Sequence, residues 1–238
     1  MDYSNKNKIS GLAFEYRIIN VIIFIGILLP TVQFIFNRSL WTDEASLALN
    51  ILNAGYLELL KPLDSGHAAP IIFLFLEKFF SILIPNSDYG LKIVPLLSYF
   101  ASLFFFYKIL QQIFNNTYTT IFALSLFVFN ATLIYYSSEV KQYMCDVFVI
   151  TSIYYIILKK YNKVQNKYYL IGIIGALSFF LSHITPIILL SCGIYLVYVD
   201  CINKNLKLKY IIGLLLVWTL TFLLYYYFFV YKHPAADN

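Results

Sequence analysis

Three short stretches carry side chains able to do chemistry: Trp41-Thr42-Asp43-Glu44, the run from Asp64 to Pro70 containing His67, and Tyr135 to Asp146. Asp43 and Glu44 offer adjacent carboxylates, and an ionised carboxylate within hydrogen-bond reach of a hydroxyl can take its proton. Glu139, Lys141 and Tyr143 follow at alternate positions, where an ammonium or a carboxylate-held cation would stabilise charge on a phosphate oxygen. Asp146 comes one helical turn after Gln142 and Tyr143, and His183 stands alone between Ser182 and Ile184. Each also has a plainer reading. Thr42 is a good helix N-cap with two acids complementing the dipole of the first turn, Gly66 and Pro70 make a turn around His67, and His183 can be a satisfied polar cap.

These residues must be positioned by a lipid-embedded scaffold. Of the 238 residues 61% are hydrophobic and 12% charged, with a mean hydropathy of +0.74, against roughly 45–50% and 25% in soluble domains. A chain of this size cannot hide so many Ile, Leu, Phe and Tyr side chains in one core. Apolar runs near 18–37, 91–110, 119–136, 144–159, 168–183, 185–201 and 210–231 predict about seven spanning helices. The runs 168–183 and 185–201 meet around His183 to Pro186 with almost no connection, which predicts a tight helical hairpin.

The stretch 38–90 is too apolar for a soluble domain. Ala45, Ala48, Leu49, Leu52, Tyr56 and Leu60 recur at helical spacing and leave Ser46, Asn50 and Asn53 on another face, which predicts a helix in the membrane interface. Ile71 to Ile84 is read as a second such helix, since a crossing there would put the lysines of 159–167 outside. With the N-terminus in the cytoplasm and sides alternating, eleven Lys and Arg fall inside and six outside. Every candidate carboxylate except Asp2, Glu15 and Asp200 then lies outside, so the catalytic candidates share the extracytoplasmic face.

The +5 net charge is spread thinly and forms no basic block, so nucleic acid is excluded as a partner. Cys145, Cys192 and Cys201 are odd in number and read as small core residues, not as a disulfide or metal framework.

The runs WTDEASLALNI, GHAAPIIFLFLEKFF and ATLIYYSSEVKQYMCDV resemble the N-terminal half of bacterial family 39-type glycosyltransferases, relatives of protein mannosyltransferases and the aminoarabinose transferase, over roughly residues 38–150. The resemblance implies an all-α polytopic membrane bundle of the GT-C type in the bacterial cytoplasmic membrane. It also implies a polyprenyl-phosphate-linked sugar donor, transfer to a glycan, lipid or protein hydroxyl on the extracytoplasmic face, and inversion at the anomeric carbon. By the same resemblance Asp43 is the general base with Glu44 beside it, Glu139 helps hold a divalent metal ion, and Lys141 with Tyr143 meets the donor phosphate. His67 aligns with a His-Pro motif, although Ala68 and Ala69 separate it from Pro70. Family members are about twice as long, so the C-terminal part of the architecture is expected to be absent. Two further classes remain open: a transporter or flippase of lipid-linked sugar, which calls for ionisable residues near span centres and repeated broken helices, and a non-catalytic membrane assembly partner.

Overall fold

The computed structural model describes residues 3–66, 68–84, 86–159, 164–204 and 207–231. Among the described residues all regular structure is helical: α1 (Tyr3–Ile35), α2 (Thr42–Asn53), α3 (Ile71–Leu83), α4 (Ser87–Gly90), α5 (Ile93–Ile113), α6 (Thr117–Val128), α7 (Ala131–Tyr136), α8 (Tyr143–Leu158), α9 (Val164–Ser178), α10 (Thr185–Ile202) and α11 (Leu208–Tyr225).

Four of the described segments are long and apolar enough to cross a membrane: Phe14–Ile35, Asp88–Ile113, Thr185–Ile202 and Leu208–Phe229. Seven spans were expected, and the three other apolar runs fall short. The run 119–136 is broken at Phe129 and Asn130, because the Asn130 side chain accepts from the Thr132 and Leu133 N–H groups and starts a new helix. α8 has 16 residues and α9 has 15, below the roughly 17–25 that a spanning helix needs. α9 stops at Ser178, so six residues connect it to α10 where a tight hairpin was expected. α3 has 13 residues, which at about 1.5 Å per residue reaches roughly two thirds of a hydrocarbon core.

α5 and α8 form the centre and run parallel. Ser98 Oγ lies 3.4 Å from Cys145 Sγ at one level, and Phe105 meets Phe148 and Tyr155 further along. Small Ser98, Ser102 and Cys145 let the two backbones approach, and the Ser102 hydroxyl returns a hydrogen bond to the Ser98 carbonyl, so this hydroxyl is not stranded. Around this pair are three apolar clusters: one with α1 and α6 about Tyr99 and Leu124, one with α2 and α3 about Ile51 and Phe73, and one with α9 to α11 about Cys192 and Trp218. Cys201 is exposed, unlike Cys145 and Cys192, and is therefore not the core residue expected of it.

α2 packs differently from its predicted face. Glu44, Leu47, Ala48 and Ile51 are buried, whereas Leu49 is 58% exposed. The stripe is rotated because it includes a carboxylate, which hydrophobic spacing ignores. Nor is Thr42 the N-cap. Trp41 holds that position, and the Glu44 side chain reaches back to its N–H at 3.2 Å.

Gly90 ends α4 where it crosses α3. A Cβ there would sit 2.8 Å from both the Phe80 carbonyl oxygen and the Ser81 Cα, which are backbone atoms and cannot swing away. Gly90→Ala is expected to cost about 1–3 kcal/mol. A thermal scan read by thiol-reactive fluorescence from buried Cys145 and Cys192 checks this as an earlier transition.

Candidate functional site

The chain leaves α1 through Asn37, whose φ of +42° is a left-handed turn that Asn tolerates. Lys92, 1% exposed at the start of α5, holds this turn from below: its Nζ donates to Asn37 Oδ1 at 2.7 Å and to the Arg38 carbonyl at 2.6 Å. Arg38 is thereby aimed at α2. Its two terminal nitrogens donate to Glu44 Oε2 at 2.8 Å and Oε1 at 2.9 Å, and its guanidinium lies 4.4 Å from the centre of the Tyr135 ring.

Glu44 has no exposed surface and no idle oxygen. Besides Arg38 and the Trp41 N–H, its Oε1 accepts the Val140 N–H at 2.8 Å, across 96 positions of chain. This bond fixes the 137–142 turn against the N-terminus of α2. Lys141, the next residue, then places its Nζ 2.6 Å from Asp43 Oδ2. The Asp43 side chain is 40% exposed and that of Lys141 10%, so the pair sits at an opening. On the other side of the turn Glu139 Oε1 accepts from Trp41 Nε1 at 3.3 Å, while Glu139 Oε2 and Gln142 Oε1 are buried with no hydrogen-bond partner. Burial raises the Glu139 carboxyl above the usual range, against the pull of the Trp41 hydrogen bond. Tyr143 is partly exposed and its ring lies 4.8 Å from that of Tyr136.

The remaining candidates occupy the same end of the bundle. Asp146 Oδ1 accepts from the Ser182 hydroxyl at 2.6 Å, tying α8 to the α9–α10 connection. The Ile72 N–H donates to the Phe180 carbonyl at 2.8 Å, which brings the start of α3 to that connection too. His183 Nδ1 is 3.0 Å from the Tyr225 hydroxyl, and burial lowers its pKa, so it is held as a neutral ring in the packing. His67 lies outside the described residues. The structure thus joins Asp43, Glu44, Glu139 and Lys141 in one cluster, places Asp146 and His183 in neighbouring packed contacts, and leaves Tyr143 at the rim.

Among the described residues no three His, Cys, Asp or Glu side chains gather as metal ligands. The cations beside Glu139 are the side chains of Arg38 and Lys141.

The outer face of α2 leads away from Asp43. Ser46, Asn50 and Asn53 succeed it at spacings of three, four and three, and they line a cavity of about 620 Å3 with Glu58, Lys61 and Asp64. Asn50 shapes its wall by accepting the Asp64 N–H at 2.8 Å and donating to the Ser46 carbonyl at 2.9 Å. Asn50 is about 10 Å along the helix from Asp43.

Three participants carried no sequence signal of their own: Arg38, the Val140 N–H and Lys92. An Arg six residues before a Glu, both flanking a helix start, was the available hint. Glu77 was also passed over. It is fully buried in α3 with both oxygens unpartnered, and burial holds its carboxyl well above the ordinary value of 4.5.

The fold and site define an all-α protein with, among the described residues, four helices long and apolar enough to cross a membrane and a charged cluster at one end of the bundle. No family model, no curated protein and no solved structure matches the chain.

Two outcomes follow from these environments. Glu44→Gln leaves the Arg38 charge without its partner and is expected to cost about 3–5 kcal/mol, measured as a fall in thermal stability larger than that of Asp43→Asn. Burial makes Glu77 hold its proton to higher pH in the fold than in the unfolded chain, so its contribution to stability declines as pH rises above 4.5. Glu77→Gln is expected to be at least as stable as wild type at neutral pH and to flatten that decline in unfolding scans taken across pH 4.5 to 8.

Proposed function

We propose that the chain is a membrane glycosyltransferase of the GT-C type, which moves a sugar from a polyprenyl-phosphate donor to an acceptor hydroxyl on the extracytoplasmic face of the bacterial cytoplasmic membrane. The observation that carries this reading is the Asp43–Lys141 pair at 2.6 Å, open to solvent on its Asp43 side and set on the Arg38 ion pair of the buried Glu44. A base for a hydroxyl and a cation for a departing phosphate are what this transfer needs side by side.

In this reading Asp43 accepts the proton of the acceptor hydroxyl. The acceptor oxygen bonds to the anomeric carbon as the bond from that carbon to the phosphate oxygen breaks, and the electron pair leaves on the phosphate. Lys141 turns from Asp43 toward that oxygen and stabilises its charge. One displacement inverts the anomeric centre. Glu44 takes no part in proton transfer, because all its acceptor positions are filled by Arg38, Trp41 and Val140; it is a positioning residue. Tyr143, exposed at the rim of the same turn, offers its ring to the bound donor. The polar cavity along α2 suits a hydroxyl-rich acceptor; its lining begins at Ser46, about one helical turn after Asp43.

Transport of a lipid-linked sugar is the second reading, and Glu77 favours it, since an isolated carboxyl within a helical bundle is a common proton-coupling device. Its place in a 13-residue helix outside the long spans weighs against it.

Transfer from a radiolabelled polyprenyl-phosphate hexose, followed in membranes containing the protein, separates the two readings. Asp43→Asn is expected to reduce transfer roughly 10²–10⁴-fold with the chain still folded, and Lys141→Gln to reduce it as well. Full transfer by Asp43→Asn refutes the assignment of the base, and donor movement across vesicles without transfer favours transport.

A further inference from the structure

At the other half of the bundle α9 and α11 run parallel, as Tyr168 stacks on Tyr210 at 5.4 Å and Gly172 and Gly175 face Leu214 and Trp218 further along. Between them opens a cavity of about 610 Å3. Its length is lined by apolar or small residues, among them Ile173, Leu177, Gly213 and Val217, and a Cβ added at Gly213 would meet no atom within 4 Å. Its one polar end is built from Tyr168, Tyr169, Tyr210 and Lys209.

The dimensions are those of one leaflet. From Tyr168 to Leu177 along α9 is roughly 13 Å at the helical rise, close to half of a hydrocarbon core of about 30 Å. Tyrosines at one end and an apolar trench behind them match the order of interface and acyl region in a bilayer.

The charge at the polar end selects the headgroup. Lys209 is exposed, with its ammonium 4.9 Å from the Tyr210 ring centre. Lys204 and Lys207 precede it on the same connection. Asp200, a carboxylate at this end, already accepts from the Tyr168 hydroxyl at 2.7 Å and from the Lys207 N–H at 3.3 Å. A surplus of positive charge therefore faces the headgroup layer.

We infer that the α9–α11 groove is a binding site for one anionic glycerophospholipid, with an acyl chain in the trench and its phosphate against Lys209. This site is independent of the transferase reading: it shares none of the residues around Asp43, and its test needs no activity.

Native mass spectrometry of the full chain in detergent tests it, with phosphatidylglycerol and phosphatidylcholine of identical acyl chains as probes. One phosphatidylglycerol is expected to be retained about fivefold more tightly than phosphatidylcholine, the increment of a single lysine at a lipid phosphate. Lys209→Gln, an exposed change, is expected to abolish that preference, and Gly213→Leu, which fills the trench, to weaken both lipids. Equal retention of the two lipids by wild type, or an undiminished preference in Lys209→Gln, overturns the proposal. If Gly213→Leu does not fold, the Lys209→Gln comparison alone decides.

Discussion

The buried carboxylate of Glu44 is the joint on which the charged end of the bundle depends. In a helical membrane protein, connections between helices have little apolar surface to pack, so they need directed polar bonds to hold one geometry. Glu44 supplies them to three separate pieces of chain: the exit of α1 through Arg38, the first turn of α2 through Trp41, and the 137–142 turn through the Val140 N–H. A buried ion pair of this kind adds little net stability over an apolar pair, yet removing either member strands a charge. Its value here lies in specificity, since Lys141 meets Asp43 only while Val140 is fixed.

Beneath that joint lies a second one. Lys92 at the foot of α5 fills the cap of the left-handed Asn37 turn, so α1 and α5 present Arg38 in a fixed direction. The α5–α8 pair then carries the 137–142 turn at its own end, because α8 begins at Tyr143 directly after it. The same end gathers the α9–α10 connection through Ser182 and Asp146. Positioning thus passes from the apolar core to the polar joint, and from there to the Asp43–Lys141 pair, of which only Asp43 is open to solvent.

Two acidic neighbours in sequence have divided the work. Asp43 and Glu44 are consecutive, so on a helix they point about 100° apart. One turns inward and is consumed by donors, while the other stays at the opening with an ammonium as partner. The adjacent-carboxylate pattern marked the place but did not assign the parts. Glu77 and Glu139 show the converse: burial without full pairing leaves carboxyls with raised pKa values, one in α3 and one in the site turn.

The amino-acid sequence by itself determined the helical class and the lipid-facing composition, because helix formation and apolar run length are local properties summed over neighbours. It also singled out Asp43, Glu139 and Lys141, whose residue types are costly in such surroundings. It overcounted spans, because an Asn130 cap divides a continuous apolar run, and it rotated the buried face of α2, because periodicity scores a carboxylate as outward-facing. Only the tertiary structure decided that Glu44 faces inward, that Arg38, Lys92 and the Val140 N–H complete the joint, and that Lys141 reaches Asp43. Those outcomes depend on polar bonds between different pieces of the chain, from Arg38 to Glu44, 6 positions apart, through Lys92 to Asn37, 55 apart, to Val140 and Glu44, 96 apart, whose satisfaction outweighs local preference.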